Sequence, residues 1–251
     1  LWLSDPDCLM SRFSKTALGG DEVLTHAACV ALAGGPLVIS DNLKELKRES
    51  IRLIQLLIPP ADTPAVPVDF FESRIPSTLV MRFPRDYDDL TVAGRFNWNS
   101  HATDMPLEFE KLGLPPGREY HVYDLWEDHY YGVRSGRLTL PRVPRHASRL
   151  LSIRPVRNEP HVIATTFHFT QGGLDLTAQK FDPSAGVLSL KLSAPGKRFG
   201  RVYLHIPQQF QPEHALINNS HATTPMREKG TFHYIEFRME GSAEVVVHFK
   251  R

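Results

Sequence analysis

The densest polar run beside a strand-like segment is Ser4-Asp5-Pro6-Asp7-Cys8. Two carboxylates one residue apart point roughly the same way where the chain is extended, so Asp5 and Asp7 can clamp neighbouring hydroxyls of a sugar or share a cation. The Asp-Pro-Asp tripeptide equally suits an Asx turn or a helix cap, and spacing alone leaves both readings open. The 12 histidines include no His-x-x-x-His pair, and Cys8 and Cys29 form no Cys-x-x-Cys, so no metal site is expected. His121, His168, His205, His233 and His248 lie in strand-like runs, where sheet-surface or hydrogen-bonded roles are expected. Trp98 and Trp126, with Tyr120, Tyr123, Tyr130 and Tyr131, either stack on sugars or fill a core as cross-strand pairs. Asn218-Asn219-Ser220 satisfies a glycosylation sequon.

The elements that must position these residues change character along the chain. Apolar residues recur at helical spacing only near the N-terminus. Leu1 to Leu3 reads as a short buried strand, and a helix opening at Asp21 places Val23, Leu24, Ala27, Ala28, Ala31 and Leu32 on one face before Gly34 and Gly35 end it. Pro36 to Ser40 reads as a strand, with Asp41 and Asn42 as caps for the next element, and a second helix is expected over Glu49 to Leu57, stopped by Pro59 and Pro60. Strand, helix, strand, helix is the order of a parallel α/β sheet or barrel. The proline-rich stretch from Pro59 to Pro67 then reads as a boundary. Strands are expected at Ser77–Phe83, Leu90–Trp98, Glu119–Leu125, His129–Val133, Arg137–Leu140 and Ser148–Pro155. A second series covers His161–Thr170, Leu174–Phe181, Val187–Leu192, Gly200–Ile206, Thr231–Arg238 and Ala243–Phe249. So many short strands exceed one sheet and point to one or two antiparallel sandwiches. No internal repeat or low-complexity tract is visible.

Trp2-Leu3-Ser4-Asp5-Pro6-Asp7-Cys8-Leu9 resembles the Trp-x-Asn-Asp-Pro-Asp-Cys/Met-Leu segment of the alpha-galactosidase (melibiase) glycoside hydrolases, families 27 and 36. Ala31-Leu32-Ala33-Gly34-Gly35-Pro36-Leu37-Val38-Ile39-Ser40-Asp41-Asn42-Leu43 is similar to the last barrel strand and helix of those enzymes. Tyr120-His121-Val122-Tyr123-Asp124-Leu125-Trp126 is similar to the Tyr-x-Val-x-Asp-x-Trp strand of their C-terminal sandwich. The resemblance implies that Asp7 and Cys8 line the pocket for a terminal galactose, with Trp2, Ser4 and Asp5 supporting them. Ser4 stands where the family has asparagine, and a hydroxyl replaces an amide only in part. A retaining glycosidase needs two further carboxyl groups about 5 to 5.5 Å apart, which the family takes from earlier barrel strands, so no catalytic residue is assigned to this chain. Lys180-Phe181-Asp182 matches a Lys-x-Asp nucleophile segment but runs into Pro183-Ser184-Ala185-Gly186, which turn chemistry explains.

The expected architecture is therefore α/β plus all-β: the last two βα units of a (β/α)8 barrel over 1–62, an antiparallel β-sandwich over 63–157, and a second β-rich module over 158–251. Two βα units cannot close a barrel of eight, so the chain reads as the C-terminal portion of a longer enzyme, inactive alone. Its partner would be a terminal alpha-galactoside or related oligosaccharide, with the remaining barrel or a homo-oligomer covering the open strands, and no metal or organic cofactor is implied. A non-catalytic sandwich that binds carbohydrate or mediates subunit contact is the competing reading. With 251 residues, 41% hydrophobic and 23% charged, the composition excludes disorder and fibres. The 29 basic against 28 acidic residues give no field for nucleic acid. The longest apolar stretch, around Ile51 to Pro60, is interrupted by Arg52 and Gln55 and is too short to span a membrane. Leu1 to Asp7 reads as no secretion signal, and two cysteines suit a reducing, cytoplasmic compartment.

Overall fold

Two short parallel strands, β1 (Cys8–Leu9) and β2 (Val38–Ile39), join the ends of the N-terminal segment, with Cys8 opposite Val38. The computed structural model describes residues 5–221, 226–229 and 232–250. The strand expected over Leu1 to Leu3, together with Trp2 and Ser4, lies outside them. Between β1 and β2 runs α1 (Gly20–Leu32), whose Glu22 carboxylate accepts the Gly19 amide at 2.7 Å and pairs with His146 at 2.8 Å. Val23, Ala27, Ala28 and Leu32 form the buried stripe expected from their spacing. Asp41 is not a helix cap. It is buried and accepts the amide and hydroxyl of Ser11 at 2.6 and 2.8 Å, while Arg12 pairs with it at 2.6 Å. Asn42 does cap, by accepting the Lys44 amide, but the element it opens is one 3-10 turn at Leu43–Glu45. The second helix, α2 (Arg48–Leu56), ends one residue earlier than expected.

Among the described residues fifteen more strands follow: β3 (Val66–Pro67), β4 (Thr78–Arg85), β5 (Asp88–Phe96), β6 (Thr103–Glu108), β7 (Glu119–Asp124), β8 (His129–Ser135), β9 (Arg137–Val143), β10 (Ser148–Pro155), β11 (His161–Thr165), β12 (Leu176–Asp182), β13 (Val187–His205), β14 (Pro212–Ile217), β15 (Ser220–His221), β16 (Arg227–Lys229) and β17 (Phe232–Phe249). A six-stranded sheet has the order β3-β4-β5-β10-β7-β8, and β6 pairs with β9 across from it. Strand periodicity divides its side chains between two cores. Val92, Tyr123 and Leu150 face the cluster that includes Val23, Leu32 and Leu53 of the helices. Their neighbours Ala93, Val122 and Leu151 face Met105, Leu107, Leu138 and Leu140 of the β6–β9 pair. β10 is accordingly buried at all eight positions. Gly94 of β5 makes room for Leu32, whose methyl would overlap any Cβ there.

The third sheet has the order β11-β13-β17-β14-β15, with β12 on β13 and β16 on β17. It corrects the strand assignment: the predicted strands Val187–Leu192 and Gly200–Ile206 are two ends of β13, and those at Thr231–Arg238 and Ala243–Phe249 belong to β17. Pro195 and Gly196 look like breakers, yet they form a bulge where the register jumps between Ala194 and Lys197. A bulge bends its strand rather than ending it. Leu188, Leu190 and Val245 from one side of the bend thereby share a core with Val202, Ile235 and Phe237 from the other. The sandwich-type packing expected of this region is thus made by folding two long strands over. β6, which contains Pro106, escapes sequence reading because proline argues against a strand, but β6 pairs on one side only and tolerates it.

The two β regions are joined at Arg154. This fully buried guanidinium donates to Asp88 Oδ2 at 2.9 Å, to Ser152 Oγ at 2.8 Å, to the Ile163 carbonyl, and to the Gln171 carbonyl at 2.9 Å. α2 is fixed to the same region: Arg198 donates to the Gln55 and Ile58 carbonyls at its C-terminal end, and the Phe169 amide donates to Leu56 at 2.8 Å.

Candidate functional site

The Asp5–Cys8 loop precedes β1 and is mostly exposed. Asp5 Oδ1 accepts the Asp7 amide at 3.0 Å, and Asp7 Oδ1 accepts the Cys8 amide at 2.8 Å. Asp7 has φ 63°, so the chain is not extended there, and the expectation that the two carboxylates share a direction does not hold. Each instead folds back on a nearby amide, as short acidic side chains do in turns. The remaining carboxylate oxygens face solvent as acceptors for hydroxyl groups. Hydrogen bonding with the Asp7 carboxylate raises the Cys8 thiol pKa, which keeps it protonated. Cys29, against the helix core, is pushed up to about 11 by burial.

The Tyr120–Trp126 strand serves the fold. Asp124 is buried at the end of β7, where Oδ1 accepts the amides of Trp126 at 3.1 Å and Leu150 at 3.4 Å and Arg149 lies 3.4 Å from Oδ2. Burial raises its pKa to about 7 against the pull of Arg149. Trp126 packs against the helix-side core, and Trp98 stacks on Phe96 at 5.2 Å while its indole N–H donates to the Pro76 carbonyl. Asp182 holds the β12–β13 turn through Ser184 and Ala185, and its pKa is lowered first by the Ser184 hydroxyl bond.

His121 takes the hydrogen-bonded rather than the sheet-surface role; it and His161 are buried, and with His205 their ring centroids lie 4.5 to 5.2 Å apart between the two β regions. His121 Nδ1 lies 2.7 Å from the Tyr130 hydroxyl, and His161 Nδ1 donates to the Glu159 carbonyl at 2.7 Å. Their Nε2 atoms have no hydrogen-bond partner among the described residues. Burial drives the pKa of His121 down to about 2 and that of His161 to about 3. His168 is a satisfied core residue, held between the Thr170 hydroxyl and the Pro59 carbonyl at 2.8 Å each.

A second constellation carries no motif. Arg201 of β13 and Glu236 of β17 are directly opposite in register, and Arg201 Nε donates to Glu236 Oε2 at 2.6 Å. Arg201 Nη1 reaches Asp128 Oδ2, in the β7–β8 turn, at 2.6 Å. Tyr123 donates to Asp128 Oδ1 at 2.7 Å, and Tyr203 donates to the same atom. Burial and then the Asp128 bond push the Tyr203 pKa up to about 12, and burial likewise raises that of Tyr123, so both phenols remain donors. The available signal was the alternation Arg201-x-Tyr203-x-His205, a polar face in a strand-like run that surface placement would also explain.

Residues 87–153 match the family described as alpha galactosidase C-terminal beta sandwich domain. The segment runs from the start of β5 into β10 and includes the Tyr120–Trp126 strand, so the chain carries an alpha-galactosidase-like C-terminal portion. No curated protein matches it. Among solved structures, alpha-galactosidase I from Mortierella vinacea is similar at 18% identity and TM-score 0.46, over 59% of this chain and 38% of that one. A GH27 β-L-arabinopyranosidase from Geobacillus stearothermophilus gives 17% and 0.46, over 57% and 32% of the two chains. Isomalto-dextranase from Arthrobacter globiformis T6 gives 16% and 0.45, over 92% and 45%. The chain spans less than half the length of each.

Proposed function

We propose that this chain is the C-terminal portion of an alpha-galactosidase-like retaining glycoside hydrolase acting on terminal alpha-galactosides. The family match at 87–153 is the observation that carries this reading. The parallel pairing of β1 with β2, bridged by α1, supports assigning 1–62 to the last two units of a (β/α)8 barrel, with an antiparallel β-sandwich over 63–157 and a second β-rich module over 158–251. In that reading Asp7 and Cys8 bind the terminal sugar, supported by Trp2, Ser4 and Asp5. The chemistry would be double displacement through a glycosyl-enzyme intermediate, its nucleophile and acid/base supplied by barrel strands that two βα units do not include.

The coding DNA immediately upstream tests the assignment. An in-frame segment encoding the other barrel strands, with two carboxylates on them, is expected. A stop codon directly upstream, or an unrelated domain in frame, would overturn it.

A further inference from the structure

We propose that the cavity between α2, the β7–β8 turn and the adjoining stretch of β13 and β17 binds one neutral pyranose unit of an oligosaccharide. The cavity has a volume of about 270 Å³ and is lined by Arg52, Asp128, Phe199, Arg201 and Glu236 among others. It shares no residue with the Asp5–Cys8 loop.

Charge and shape point the same way. Two guanidinium groups face two carboxylates, so the lining is neutral overall and favours neither an anion nor a cation. Planar groups with paired donors or acceptors suit vicinal hydroxyls. They are already fixed by the Arg201 network and need no ordering when a ligand arrives, which limits the entropic cost of binding. Arg52 is anchored through Nη2 on the Thr166 carbonyl at 2.6 Å, which leaves Nη1 without a hydrogen-bond partner among the described residues. Phe199, beside Gly200, is 49% exposed; Arg238 lies over its ring at 5.9 Å, and the face turned away from Arg238 is the one that would meet the carbon-bound hydrogens of a sugar ring. Gly200 cannot gain a side chain without meeting Phe167 at 2.9 Å, so the wall behind the ring is closed. The volume lies at the small end of ligand cavities, which suits one ring rather than a chain of them. That the ligand is a saccharide rests on the glycoside-hydrolase reading, whereas the location of the site does not.

Saturation-transfer NMR titration of the full chain with methyl α-galactopyranoside, methyl α-glucopyranoside and galacturonate tests this. The expected result is saturable binding of a neutral glycoside in preference to galacturonate. Phe199→Ala and Glu236→Gln should each weaken it about tenfold or more, the loss of a single good contact, and Lys44→Ala, at an exposed position outside the cavity, should leave it unchanged. Phe199 is half exposed, so its variant keeps the fold and decides the matter even if Glu236→Gln unfolds. No saturable binding, binding that survives Phe199→Ala, or loss only in Asp7→Asn would overturn the proposal. Absence of binding beside an in-frame upstream barrel would remove this site and leave the family reading intact. Phe199-dependent binding with no barrel upstream would do the reverse.

Discussion

In the His121–His161–His205 cluster burial holds His121 and His161 neutral and lowers the pKa of His205, with Tyr130, Arg154, Arg157, Asp88 and His233 as the other titratable groups acting on it. A buried histidine whose folded pKa lies below its unfolded value of about 6.5 destabilises the fold as pH drops beneath 6.5, because only the unfolded chain takes up the proton. By pH 5 the loss is about 2 kcal/mol for His121 and for His161. His121→Gln should therefore lose about 2 kcal/mol less stability than the parent between pH 7 and pH 5, measured by urea unfolding at both values. Parallel losses in the two proteins would refute the assignment. Asp88 and Arg154 form a buried pair at 2.9 Å, and removing one partner strands the other charge. Asp88→Ala should cost about 3–5 kcal/mol, read as a lower urea midpoint with little change in slope. Neither pair nor cluster was legible beforehand, since Asp88, Arg154 and the three histidines are far apart in the chain and spacing cannot show burial. The Asp5–Asp7 pair was legible as a turn or a ligand clamp, and its backbone bonds show the turn without removing the outward oxygens.

At the scale of elements, helical periodicity placed α1 and α2 within a residue or two, because each buries one regular stripe, and apolar runs between turn residues placed β5, β7 and β10, which are buried on both faces. The bend in β13 escaped because Pro195-Gly196 is the same signal whether a strand stops or turns. Two glycines separate conformational strain from steric exclusion. Gly196 has φ 70° with open space around it, so Gly196→Ala should cost about 1–2 kcal/mol from the left-handed conformation alone. Gly34 has φ 65°, and a Cβ there would overlap the backbone of Thr63 and Pro64, where the connector crosses the end of α1. Gly34→Ala should thus be the more damaging of the two, with a clearly lower melting temperature. Equal losses would show that the connector moves aside.

At the scale of the whole molecule, the α/β segment, the six-stranded sheet and the bent sheet share one apolar cluster reaching from Leu9 to Phe232. That continuity was not legible, because the proline-rich connector looks the same whether it separates bodies or packs between them; here Ala61 is buried in that cluster. Among the described residues the N-terminal segment has one pair of parallel strands, with Val38 and Leu43 exposed beside them, and a carboxylate loop bonded to its own backbone. Hydrolysis of a chromogenic alpha-galactoside by the purified chain is the most direct test. No turnover above buffer, equal in the parent and in Asp7→Asn, is the predicted result. Steady turnover that disappears in Asp7→Asn would contradict it, because a complete catalytic pair would then have to lie within these residues.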